Sequence, residues 1–220
     1  MREDFTYKYL KIPEFCEIQK ELHDFYLRIK DNQVYRTTNN DNASIMALNL
    51  NSSIEVKGIG RLTQYTFVHI DINETMKQLP TLNKFFKRIG LSELSRIAIV
   101  TTHPCSVQDP HVDQGEETLG INFPLSGTGA TYTQIFRNKG ELRYVTSPDE
   151  ENRKGPAKQR LYLQYIDDDP EEIGRYELNR PVMLNVKMPH SVINLSEDSR
   201  VGMSFRFKAD PWNLIEEGSM

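Results

Sequence analysis

From Leu94 onward the chain reads as a succession of short strands with no helix between them, and this restricts the fold more than any other feature. Eight segments are predicted as strands: Arg96 to Thr102, Thr118 to Phe123, Ala130 to Phe136, Glu141 to Thr146, Arg160 to Ile166, Arg180 to Lys187, Ser191 to Leu195 and Arg200 to Lys208. Each is bounded by Gly, Pro, Asn, Asp or Ser, the residues that turns require. Parallel sheets need helical crossovers between strands. Their absence here points to a sandwich, barrel or jelly roll and away from a parallel α/β sheet.

The first 93 residues are of mixed character. Between Pro13 and Lys30 the residues Phe15, Ile18, Leu22, Phe25, Tyr26 and Ile29 recur at three- and four-residue spacing among charges, which predicts an amphipathic helix with one buried face. The Asn-, Ser- and Thr-rich stretch "RTTNNDNASIMALNLNSS" reads as a loop with one short element, and Arg61 to Ile70 as a strand. Asp71 or Asn73 then caps a helical region broken near Pro80, resuming to Arg88 and stopped by Gly90. The expectation is a single domain over residues 1–220, with 1–93 supporting a β core over 94–210.

The 27 basic residues are spread along a chain of net charge -4, so no duplex nucleic-acid partner is indicated. No run approaches the roughly eighteen consecutive apolar residues of a spanning helix, and "MREDFTYKYL" lacks the apolar stretch of a secretion signal. A soluble, cytoplasmic protein is expected, with no membrane partner. Cys16 and Cys105 are too few for a disulfide framework and are read as buried small hydrophobes.

Two His-x-Asp pairs stand out: His69 with Asp71 in "FVHIDIN", and His111 with Asp113 in "QDPHVDQGEE". On an extended chain residues two apart point to the same side, so either pair could offer two ligands to one ion. Five histidines and thirteen aspartates in 220 positions give roughly 0.3 such pairs by chance, so spacing alone does not decide. Asp71 lies where a strand gives way to a helix, a place for an N-cap. His111 and Asp113 have no helix to cap and precede the apolar strand "LGINFPL".

A divalent iron site of two imidazoles and one carboxylate needs a second histidine on another strand. His23 falls among helix surface charges and His103 in a neighbouring turn, which leaves His190, 77 residues beyond Asp113, as the best candidate. Ten residues later begins a strand in which Arg200, Gly202, Ser204 and Arg206 alternate with Val201, Met203, Phe205 and Phe207. The apolar set should pack into protein, and the polar set should line an enclosed surface or meet solvent. An arginine in a pocket with a metal-binding histidine suits a carboxylate, since its planar fork holds both oxygens.

"HVD" at 111–113, "LGINFPL" and "PHSVINLSEDSRVGMSFRF" from Pro189 to Phe207 together resemble the 2-oxoglutarate- and Fe(II)-dependent oxygenases. Within that superfamily they are most similar to the small aspartyl/asparaginyl-hydroxylase-like and proline-hydroxylase-like branches. The resemblance covers roughly Ile97 to Phe207. It implies a mainly β fold, a double-stranded β-helix or jelly roll of the cupin kind, with N-terminal helices packed on one sheet. It implies Fe(II) held by His111, Asp113 and His190, 2-oxoglutarate bound through Arg200, and O2 as oxidant. Many relatives carry serine two residues after the arginine, where this chain has Gly202. Many also have glycine after the proline preceding the metal motif, where this chain has Cys105.

Asn122 and Gln134 are further candidates to hydrogen-bond the co-substrate. Ser204 could assist Arg200, Arg206 could engage an acidic group on the substrate, and Tyr132 could line the pocket. The expected activity is hydroxylation of a C–H bond in an amino acid, a peptidyl residue or another small polar substrate, with succinate and CO2 as co-products. The alternatives are a non-catalytic jelly-roll binding protein and a cupin-type metalloenzyme that uses no keto acid; Arg200 discriminates among them. Specificity is expected in the Asn-rich loop and in Ser147 to Lys158.

Overall fold

The computed structural model describes residues 6–30, 65–91, 93–108, 110–113, 115–127, 129–146 and 161–208. The N-terminal part supplies β1 (Tyr7–Tyr9), α1 (Phe15–Ile29), β2 (Tyr65–Ile70), α2 (Ile72–Gln78) and α3 (Pro80–Arg88). There follow β3 (Leu94–Thr102), β4 (Ser106–Val107), β5 (Leu119–Ser126), β6 (Thr131–Phe136), β7 (Glu141–Thr146) and β8 (Leu161–Ile166). The last four strands are β9 (Glu172–Tyr176), β10 (Val182–Asn185), β11 (His190–Asn194) and β12 (Arg200–Phe207).

The strand order identifies the architecture. One sheet runs β1-β10-β5-β12-β3-β2, and a second runs β4-β11-β6-β9. Setting aside the β7–β8 hairpin and the two edge strands, eight strands remain, taken in chain order as β3, β4, β5, β6, β9, β10, β11 and β12. They alternate between the sheets in the order first-eighth-third-sixth and second-seventh-fourth-fifth, which is the jelly roll, or double-stranded β-helix. The pairings are antiparallel, as an all-β fold without crossover helices requires. The predicted fold class is correct. The N-terminal part does more than support it, because β1 and β2 extend the larger sheet at both edges.

The helices cover the outer face of that sheet. Ile18, Leu22, Phe25 and Ile29 of α1, with Leu82, Phe85 and Phe86 of α3, form one core with Ile97, Ile121, Phe123, Met203, Phe205 and Phe207 of the strands. Phe86 meets Phe123, Phe205 and Phe207 edge-on at centroid distances of 5.1 to 6.4 Å, contacts whose removal by truncation to alanine typically costs about 3–5 kcal/mol. Asp71 caps α2 by accepting from Glu74 N at 2.9 Å, as expected. The start of α3 is capped across the interface instead: Glu21 on α1 accepts from the N–H groups of Thr81 and Leu82 at 2.9 and 3.0 Å. A second, smaller core of Ile135, Tyr176, Val182 and Leu184 lies between the two sheets.

Three strands escape the sequence reading. β1 is only three residues long, β4 only two, and β9, "EIGRY", is mostly polar. The Asn-rich loop and the Ser147 to Lys158 segment lie outside the described residues, as do 61–64 of the predicted strand ending at Ile70.

The cysteine expectation is wrong: both thiols are exposed and unpaired. Cys105 follows Pro104 in a turn, not in a strand facing the core, and its φ of 49° puts a side chain in the left-handed region that glycine occupies without cost. Cys105→Gly is therefore expected to stabilise the fold by up to about 1 kcal/mol, the backbone relief being partly offset by the added freedom of the unfolded chain. Chemical denaturation checks this; a lowered midpoint would show that the Cys105 thiol contact to the Ser196 carbonyl at 3.7 Å matters more.

Candidate metal centre

The two histidines singled out in sequence sit directly opposite each other. His111 and His190 form an isolated antiparallel bridge, each backbone N–H donating to the other's carbonyl at 2.9 Å, and their rings meet at a centroid distance of 4.3 Å, tilted by 49°. Asp113 is fixed two residues on by its own N–H to Val186 O at 3.0 Å. As a result His111 Nε2 and His190 Nε2 lie 3.7 and 3.9 Å from the same oxygen, Asp113 Oδ1. The three ligand atoms fall within 4.8 Å of one another. Ligands at right angles and about 2.1 Å from one ion sit about 3 Å apart, so binding would draw the three atoms inward by roughly an ångström or less.

The protonation states suit a metal. His190 Nδ1 donates to Met188 O at 2.9 Å, which places the ring proton there and leaves Nε2 with its lone pair. Burial lowers the His190 pKa and favours the neutral ring. The Gln108 side-chain amide approaches His111 Nε2 at 3.2 Å; an amide N–H can only donate, so this nitrogen too is an acceptor. A metal on His111 would displace that contact. Burial acts to raise the Asp113 carboxyl, but Arg206 and the two imidazoles outweigh it and hold it well below the usual range, ionised.

The polar residues of β12 divide into two groups. The strand is central in its sheet and buried along its whole length, so its arginines do not stand in water. Arg206 Nη2 donates to Asp113 Oδ2 at 2.7 Å, while Nη1 donates to Ser204 Oγ at 2.6 Å and Asn122 Oδ1 at 3.5 Å. This occupies one carboxylate oxygen and leaves Oδ1 to the imidazoles. Arg206, Ser204 and Asn122, expected near the co-substrate or substrate, are thus joined by hydrogen bonds that end on Asp113, a candidate metal ligand. Gly120 makes room for them, since a Cβ there would overlap the Arg206 guanidinium. Gly120→Ala should displace that guanidinium and weaken metal binding about 10- to 100-fold, the usual effect of losing a group that orients a ligand. Competitive metal titration measures it, and unchanged affinity would deny Arg206 the role.

Arg200 forms the other group. It is 5% exposed and donates to Thr133 Oγ1 at 3.0 Å, with the Tyr176 phenol alongside and Nε without a partner. It is close enough to His190 for its charge to act on the imidazole. Among the described residues no carboxylate pairs with it. Gln134 is not part of this site: it lies on the outer face of the smaller sheet and donates to Glu172 Oε2 at 2.5 Å. Tyr132 shares that outer face, under the Arg175 guanidinium at 4.3 Å. The inward residue between them is Thr133, which sequence reasoning missed along with Tyr176 and Gln108.

Neither member of the other pair joins the triad. Asp71 is the helix cap already described, and His69 lies on the edge strand β2 opposite Ala98, separated from β5 by β3 and β12. His23 is exposed on α1. Asn194, in the stretch "PHSVINLSEDSRVGMSFRF", is structural: fully buried, its amide donates to the carbonyls of Thr102, His103 and Asp198 and so pins the turn that leads to His111 and Asp113.

No family model matches the sequence, and no curated protein matches it either. Among solved structures the chain is similar to E. coli ycfD at 16% identity and a TM-score of 0.42, over 72% of this chain and 37% of that one. It is similar to a Pseudomonas putida prolyl-4-hydroxylase at 12% identity and 0.41, over 93% and 92%. It is similar to a Bacillus subtilis oxalate decarboxylase at 15% identity and 0.32, over 67% and 26%. The chain thus spans little more than a third of the length of ycfD and about a quarter of the decarboxylase. At these values the likeness is one of fold, which the strand order already establishes. Among the described residues no helix is long and apolar enough to cross a membrane.

Proposed function

We propose that this protein is an Fe(II)- and 2-oxoglutarate-dependent oxygenase that hydroxylates a C–H bond of an amino acid, a peptidyl residue or another small polar substrate, releasing succinate and CO2. The observation that carries the reading is Arg200. A buried guanidinium with no carboxylate partner among the described residues is unfavourable by several kcal/mol, which favours an anionic ligand beside it. It faces the same interior as the triad, and its planar fork with Thr133 alongside matches the distal carboxylate of a keto acid.

In this reading His111, Asp113 and His190 hold the metal through Nε2, Oδ1 and Nε2. Two nitrogens and one oxygen on one side of the ion leave positions open, the donor set of a non-haem iron site. When bound, the iron supplies the activation of O2. The protein's share is orientation: Arg206 restricts Asp113 to one oxygen, Met188 O sets the His190 tautomer, and Arg200 aligns the keto acid. The two sheets enclose the site and limit access of water.

The deciding experiment is anaerobic. Protein with Fe(II) and 2-oxoglutarate should develop the weak visible charge-transfer band of the chelated keto acid, and succinate should appear on exposure to air. A metal-loaded wild type that shows neither is not a keto-acid oxygenase.

A further inference from the structure

At the metal end of the larger sheet, Arg96 on β3 pairs directly with Arg206 on β12, so the two side chains share the inward face. Their situations differ. Arg206 has both terminal nitrogens engaged, by Asp113, Ser204 and Asn122, and only its Nε lacks a partner. Arg96 is half-buried and, among the described residues, forms neither a hydrogen bond nor an ion pair, although it feels the charges of Arg206, Asp113 and Glu117. The nearest acid not committed to the metal, Glu117, is held by the Ser95 hydroxyl at 2.5 Å. Lys187 completes the cluster, its Nζ donating to the carbonyls of Asp113 and Gly115 at 3.0 and 2.7 Å with one N–H left over.

Five charges therefore act on one another here: Arg96, Arg206 and Lys187 against Asp113 and Glu117, three cations and two anions, an excess of one positive charge before any metal is added. Two guanidinium groups directly opposite on adjacent strands repel, and a half-buried position screens that repulsion poorly. A single free planar fork and a charge excess of one match a monoanion with two oxygens. That is a carboxylate.

We propose that Arg96, with Lys187 beside it, is a subsite for a carboxylate on the substrate oxidised at this centre. The subsite is separate from Arg200, which lies six residues from Arg206 at the other end of β12 and meets the co-substrate. The proposal rests on the oxygenase reading for the word substrate. The carboxylate preference itself does not.

The test uses zinc-loaded full-length protein and calorimetric titration with matched pairs: N-acetyl-L-aspartate against N-acetyl-L-asparagine, and N-acetyl-L-glutamate against N-acetyl-L-glutamine. Each pair is titrated with and without saturating 2-oxoglutarate. The wild type should prefer the carboxylate member by about tenfold or more, Arg96→Gln should bind both members alike, and Arg96→Lys should keep part of the preference as a charge without the fork. The 2-oxoglutarate affinity of Arg96→Gln should stay within about twofold of wild type, which shows an intact fold and separates this subsite from Arg200. An undiminished preference in Arg96→Gln, equal binding of both members by the wild type, or binding of none of the four overturns the proposal. If 2-oxoglutarate itself fails to bind the wild type, the oxygenase reading falls, and the titrations without it still decide whether Arg96 selects a carboxylate.

Discussion

Asp113→Ala should yield a protein that no longer retains metal and that unfolds more easily. Wild type is expected to hold one equivalent of Fe(II) or Zn(II) through gel filtration, measured by elemental analysis, and Asp113→Ala and His190→Ala none. The loss of stability has a separate cause. Arg206 is 6% exposed and Asp113 is its only acidic partner among the described residues, so truncating the aspartate strands a buried guanidinium. Breaking such a pair costs about 3 kcal/mol or more. Asp113→Ala with Arg206→Met should recover most of that stability and none of the metal, because methionine removes the stranded charge without restoring a ligand. His69→Ala should keep its metal. Stoichiometric metal in Asp113→Ala, or its loss in His69→Ala, would overturn the assignment of the site.

The second large effect has opposite signs for binding and stability. Arg200→Met should weaken 2-oxoglutarate binding by about 2 kcal/mol or more, roughly thirtyfold at least, since the keto acid loses the partner of its distal carboxylate. In the absence of ligand the same variant should be more stable than wild type by about 1–4 kcal/mol, because an uncompensated buried cation is replaced by an apolar side chain of similar reach. Thermal unfolding with and without keto acid reads both. At a hundredfold excess over its dissociation constant the ligand stabilises wild type by about 2.7 kcal/mol, a gain that a thirtyfold weaker site cuts to about 0.9 kcal/mol in the variant. A variant stabilised by 2-oxoglutarate as much as wild type would remove the chief support for the proposed function.

The strand succession and the triad were readable for physical reasons. Turn residues and β-branched runs are local signals, so Glu141–Thr146 is found at its predicted bounds, and most other predicted core strands are found within a residue or two. His190 was chosen by elimination among five histidines, helped by Arg200 ten residues on, and the structure brings it beside His111 and Asp113. The differences inside the pocket share one origin. Alternation along "TYTQIF" is visible but does not say which set faces in: Gln134 and Tyr132, candidates for the pocket, lie outward, and Thr131, Thr133 and Ile135 face in. In an ordinary core the polar set faces water; between these two sheets lies a polar pocket, so polarity does not tell inside from outside. For Arg206 the periodicity points to the pocket face, and only the distance to Asp113 Oδ2 shows which group it touches.

The sequence by itself determined the class of fold, the amphipathic face of α1, the cap at Asp71 and the residue types of the metal triad, because each depends on neighbours along the chain. Only the packing of the strands shows that His111 and His190 stand opposite each other, that Arg206 donates to Asp113, and that among the described residues Arg200 has no carboxylate partner and Arg96 neither a hydrogen bond nor an ion pair. Those facts depend on which strands lie side by side and in what register, and a jelly roll brings together strands far apart in the chain. Arg96 and Arg206, 110 positions apart, become neighbours only through the pairing of β3 with β12.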